Sequence, residues 1–168
     1  MRNHMITAIA IAWCVGGSAA AAEEKSALVS FKVLSPELAV ELAQGALADC
    51  RKRGYQVAVV VVDRFGIPQA LIRDRFAGPH TPDTARRKAW TAVSFRTDTL
   101  SMAEFTASGA PQSGVRFVTE ALMVGGGVPV ESAGTVVAGI GVSGAPGGAE
   151  DDACARAAIE SIVEKLEF

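Results

Sequence analysis

Hydrophobic and polar positions alternate between two periods along this chain. Leu38, Leu42, Ala43, Ala46, Leu47 and Cys50 recur at helical spacing. Ser35, Pro36 and Glu37 ahead of them read as an N-cap, a proline at the first helical position and an acid in the first turn. Arg51, Lys52 and Arg53 suit the negative end of the helix dipole, and Gly54 stops the helix. The pattern then changes. Val57 to Val62 is an unbroken apolar run, too β-branched for a good helix, and predicts a buried central strand over Tyr55–Asp63. Asp63 to Gly66 reads as a turn and Ile67 to Arg73 as the returning strand, with Pro68 tolerated near its start or on an edge.

Helical periodicity resumes after a loop ending in Gly78, Pro79 and His80. Thr81, Pro82 and Asp83 repeat the cap, proline and acid order and predict a helix to about Phe95. Its Ala85, Ala89, Ala92 and Val93 form a narrow face that another backbone can approach closely. Thr97 and Asp98 suggest a cap for a short helix through Phe105, and no element is assigned from Gly109 to Val124. Glycine then becomes dense, with 11 of the 17 between Gly109 and Gly148. Val128 to Val130 and Thr135 to Val142 predict a second hairpin around Ala133 and Gly134. Glu150, Asp151 and Asp152 open a last helix whose face carries Ala155, Ile159, Ile162 and Leu166. Two hairpins separated by helices imply antiparallel pairing, hence an α+β architecture.

The chain has 168 residues. Residues 1–22 read as a cleavable signal peptide: Arg2, an apolar run from Met5 to Val15, then Ala20 and Ala22 at small-x-small spacing. That run is short of the ~20 residues a spanning helix needs. Residues 23–34 are then a lead-in and 35–168 a single domain, in a periplasmic or secreted protein with no membrane span after cleavage. Loss of Arg2 takes the formal charge from −2 to −3. With no basic stripe, nucleic acid is not an expected partner. The cut also leaves His80 as the only histidine and Cys50 and Cys154 as the only cysteines. In an oxidising compartment these two form a disulfide or remain two buried thiols; the spacing leaves both open.

The candidate chemistry is sparse. Gly139, Gly141 and Gly144 match G-x-G-x-x-G, but a dinucleotide site needs a further strand after the helix, and acids open the helix here. A glycine-rich strand packed against a helix is the plainer account. Ser143 lacks the flanking glycine of a nucleophile elbow. One histidine and two cysteines cannot close a structural zinc site. The acids at 150–152 suit the helix dipole better than a hard cation. His80 is different, because one neutral imidazole suffices as an axial ligand to haem iron. Arg73, Arg75, Arg86, Arg87 and Lys88 lie near it in sequence and are candidates to pair with propionates. An exposed loop histidine on a basic surface is the plain alternative.

Three segments taken together resemble the GlcG/HbpS-like family, the haem-binding or haem-degrading domain. They are Val57 to Gly66; Ala85 to Ala92; and Gly126, Gly127 and Pro129 running into Gly139, Gly141, Ser143 and Gly144, then Asp152. The similarity spans about Ser35 to Lys165. It implies a profilin-like fold, a five-stranded antiparallel sheet flanked by helices, a haem cofactor and a homo-oligomer. This chain departs from the family's Arg-x-Asp-Gly-Ala loop at Arg75 to Gly78. The resemblance adds Thr81 as a second candidate ligand, since a hydroxyl-bearing ligand occurs in the family.

The leading expectation is an exported haem- or tetrapyrrole-binding protein that scavenges or buffers haem. His80, Thr81, Arg75, Lys88, Gly126 and Gly127 would form its binding site, with His80 the only metal ligand and only through haem iron. Whether it is also an enzyme stays open. In that alternative Asp63, Lys88 and Ser143 would act on a small carboxylate or oxidised aromatic substrate, and a Lys88 titrating below its ordinary value would favour it. The third alternative is a ligand-free oligomeric scaffold.

Overall fold

The valine run sets the architecture. In a computed structural model that describes residues 27–167, it forms the inner strand β1 (Ala58–Asp63). Its partners are β2 (Pro68–Arg73), β3 (Gly127–Ser132) and β4 (Thr135–Ser143), in the order β2-β1-β4-β3, every pair antiparallel. The helices are α1 (Pro36–Lys52), α2 (Thr81–Phe95), α3 (Thr99–Phe105) and α4 (Gly148–Ser161). Short 3₁₀ turns lie at Ser113–Phe117 and Val163–Lys165. Residues 31–167 fall in one unit; residues 27–30, in a separate N-terminal unit, have no regular structure. The signal-peptide segment lies outside the described residues.

Both faces of the sheet are covered, which is why β1 is a continuous valine run and not an alternating one. Val59 and Val61 join Ala138, Ile140, Val142 and the apolar faces of α1 and α4 in the main core. Val60 and Val62 face the other way, onto Ala85, Ala89 and Val93 of α2. The pairing places Gly141 opposite Val60 and Gly139 opposite Val62, so both glycines also face α2. A Cβ on Gly141 would lie 1.9 Å from the Ala85 carbonyl oxygen, and one on Gly139 would lie 2.6 Å from Val93 Cγ1. The small face of α2 and the glycines of β4 are thus two halves of one contact. That contact accounts for the G-x-G pattern without a nucleotide.

The described residues contain four strands, not five. The segments beside the sheet satisfy their backbone groups with side chains instead of a ladder. Leu122 N–H donates to Thr91 Oγ1, Gly127 N–H to Thr99 Oγ1, and Arg87 donates to the carbonyls of Glu120 and Ala121. On the other edge, Gln69 Nε2 donates to the Leu34 carbonyl. Strand β1 also starts later than expected, because Tyr55 N–H still bonds the Cys50 carbonyl at the end of α1. Pro68 and Pro129 both sit on edge strands, where the missing N–H costs least. Cys50 and Cys154 are joined in a disulfide that ties α1 to α4.

Candidate functional site

The helix that carries most candidate residues begins one residue earlier than its sequence signature suggests. His80 occupies the N-cap position but gives no side-chain cap. Thr81 is already helical, and its hydroxyl donates to the Gly78 carbonyl at 2.7 Å. The tight turn closed by Thr81 N–H on that same carbonyl leaves the threonine inside the helix. Asp74, at the head of this loop, is held by Arg51 of α1 through two hydrogen bonds of 2.9 and 2.5 Å. That guanidinium holds the Asp74 carboxyl below its ordinary range.

A cleft of about 560 Å³ opens between the start of α2 and the 143–148 loop, with the chain at 54–56 as its third wall. This is within the roughly 300–1,000 Å³ typical of small-molecule and cofactor sites. His80, Thr81, Lys88 and Ser143 all line it. Phe76, 79 % exposed, and Val124 supply an apolar rim. The ring of His80 folds back over Gly78, where a Cβ would come within 2.7 Å of it. No hydrogen bond of the imidazole is found among the described residues.

Lys88 stands at the floor. It is 1 % exposed, and its ammonium donates to the Val142 carbonyl at 2.9 Å and to Asp151 Oδ2 at 2.8 Å. Asp151 Oδ1 accepts from Ala145 N–H. The pair joins α2, β4 and α4 in one buried junction. Burial pushes the Lys88 ammonium below its ordinary range, and the attraction of Asp151 opposes that. Burial likewise pushes the Asp151 carboxyl up, against the pull of Lys88. An ammonium bonded in this way neutralises an internal acid and is a poor partner for a propionate.

The other expected residues lie elsewhere. Asp63 is at the far end of β1 from the cleft, where its Oδ1 accepts from Phe65 and Ile67 N–H and shapes the hairpin turn. Gly126 and Gly127 lie behind the floor. Their missing side chains make room for Asp151 Cβ and the Lys88 carbonyl, not for a ligand. Arg73 bonds the Ala77 carbonyl, Arg86 pairs with Asp83, and Arg87 bonds two backbone carbonyls. The Arg75 guanidinium instead lies over the ring of Phe76, 5.9 Å from its centroid, at the rim.

Sequence reasoning did not single out Gln56 and Phe76, nor the pairing of Lys88 with Asp151. The pair was legible in part. Thr81, Ala85, Lys88 and Ala92 share one buried stripe of α2, while Asp151 shares a stripe of α4 with Ala155 and Ala158. One charge on each of two apolar stripes calls for a partner. Gln56 carries no such signal.

An antiparallel sheet with helices on both faces and a polar-floored cleft at one end of α2 place the chain in the α+β class. The chain belongs to the family of haem degrading proteins of HbpS type, whose pattern it matches over residues 34–160. A double mutant of HbpS from Streptomyces reticuli is 36% identical with a TM-score of 0.77, the match covering 87% of this chain and 98% of that one. A PduOC–haem complex is 27% identical with a TM-score of 0.73, covering 77% and 95%. ORFY of Klebsiella pneumoniae, 23% identical with a TM-score of 0.78 over 85% and 98%, shares the fold. No curated protein sequence matches.

Proposed function

We propose that this protein is an exported binder of haem or a closely related tetrapyrrole, held in the cleft at the start of α2. The observation that carries this reading is the pairing of an unbonded imidazole, His80, with an exposed aromatic, Phe76, on a cleft of cofactor size. Membership of the HbpS-type family and the solved PduOC–haem complex support it. The residues present suit such a ligand. A neutral imidazole can coordinate iron, an aromatic ring can lie against a macrocycle, and Arg75 at the rim can take a propionate bidentately. Thr81 is the second candidate ligand, though its hydroxyl proton is already given to Gly78. Bound haem would supply a redox-active iron; His80, Phe76 and Arg75 would bind and orient it. Export, haem buffering and assembly into a homo-oligomer belong to the same proposal. No helix among the described residues is long and apolar enough to cross a membrane.

A haemin titration of the mature chain tests it. A shifted Soret band that moves again or weakens in His80→Ala is the expected outcome. Absence of any shift, or a spectrum unchanged in both His80→Ala and Thr81→Ala, would refute this site. The lowered Lys88 favours a second reading, an enzyme acting on a small carboxylate. The ion pair with Asp151 stands against it.

A further inference from the structure

The polar groups of the cleft divide into two sets. Thr81 and Thr84 spend their hydroxyl protons on backbone carbonyls, and Lys88 and Asp151 cancel each other. His80, Tyr55, Ser143 and Gln56 are left; the imidazole already has its place in the proposed site, and the inner pair is Ser143 and Gln56. Ser143 is 4 % exposed, and its hydroxyl has no hydrogen-bond partner among the described residues. The Oε1 atom of Gln56 is buried and also has none. Ser143 pairs with Ala58, which packs on α2, and Gln56, in the irregular stretch just ahead of β1, lines the same cleft. A buried polar atom without a partner, here Gln56 Oε1, is rare and calls for an explanation. Here the explanation is a ligand edge that is neutral and offers a donor beside an acceptor.

The geometry points to Ser143 and Gln56 as the recognition pair for an oxygenated, open-chain tetrapyrrole, with its terminal lactam on the cleft floor and its carboxylates outward at Arg75. The inference rests on the tetrapyrrole reading above. An intact porphyrin carries only methyl, vinyl and propionate groups on its edge, and none of them matches this pair. Oxidative opening of the ring leaves lactam carbonyls beside pyrrole N–H groups. A carboxamide and a hydroxyl satisfy both, whichever end of the Gln56 amide faces inward. A site built around such hydrogen bonds discriminates against a ligand that leaves them unmade. The cleft would therefore hold a ring-opened tetrapyrrole more tightly than haem.

Biliverdin is the probe, titrated into the mature chain by absorbance and induced circular dichroism, beside haemin. Ser143→Ala and Gln56→Leu should each weaken biliverdin about tenfold. The same variants should leave haemin within about twofold, since the bonds removed are ones haemin does not make. Ser143→Cys serves if the alanine variant loses its fold. Equal weakening of both ligands, or haemin bound and biliverdin not, would overturn the pair's role. Biliverdin bound with these losses while haemin fails to bind would overturn the iron-ligand role of His80 and leave this inference standing.

Discussion

At the scale of single residues, the unusual feature is an almost wholly buried lysine. Lys88 and Asp151 are both nearly fully buried and hold each other at 2.8 Å. Burial pushes both groups toward their neutral forms, and taking two charges out of water offsets much of what their attraction contributes, so the pair defines the junction of α2, β4 and α4. Removing one partner strands the other charge in the interior. Lys88→Met or Asp151→Asn should each cost about 3–5 kcal/mol in chemical denaturation. The double variant Lys88→Met/Asp151→Leu should recover most of that loss, because no charge then remains buried. Additive losses in the double variant would refute this account.

Among the elements, the closest contact is between α2 and β4. It depends on residues defined by what they lack. Gly141 and Gly139 receive the backbone of α2 at Ala85 and Ala89, and both helix residues are fully buried. A methyl at Gly141 meets backbone atoms, which cannot rotate away, so the helix must shift. Gly141→Ala should therefore cost about 3 kcal/mol. It should also displace the first turn of α2 and weaken whatever ligand the cleft holds. Gly114, where a Cβ meets nothing within 4 Å, provides the contrast. Gly114→Ala should change stability by less than about 1 kcal/mol, with thermal melts of both glycine variants as the check.

For the whole molecule, the disulfide between Cys50 and Cys154 closes a loop with a sequence separation of 104. On the chain-entropy model a closure of that length stabilises by about 4–5 kcal/mol. Reductant should lower the melting temperature of the wild type and leave Cys50→Ala/Cys154→Ala unchanged. The double variant should melt near the reduced wild type. A wild type indifferent to reductant would show that the bridge contributes little. The covalent tie joins the two helices of one face, while α2 on the other face is held without one, by close packing, the Lys88 junction and the bonds of Arg87 and Thr91 to the 120–122 segment.

The order of the elements was legible because each lies within one stretch of chain. Hydrophobic period, caps, prolines and glycines encode local backbone preferences, and they yielded α1, the two hairpins and α4 with small shifts at the ends. The number of strands was not legible, because whether a flanking segment joins a ladder depends on which distant side chains reach it first. Thr91, Thr99 and Arg87 reached the 120–127 segment. The site was legible by half. His80 and Ser143, both named from the sequence for different roles, line one cleft. Only the tertiary structure could place Asp63 at the far end of the sheet, commit Lys88 to Asp151, and leave Gln56 and Ser143 facing the cleft without partners. Local sequence determines what each side chain can do; the packing of α2, β4 and α4 decides which of them are already engaged and which remain for a ligand.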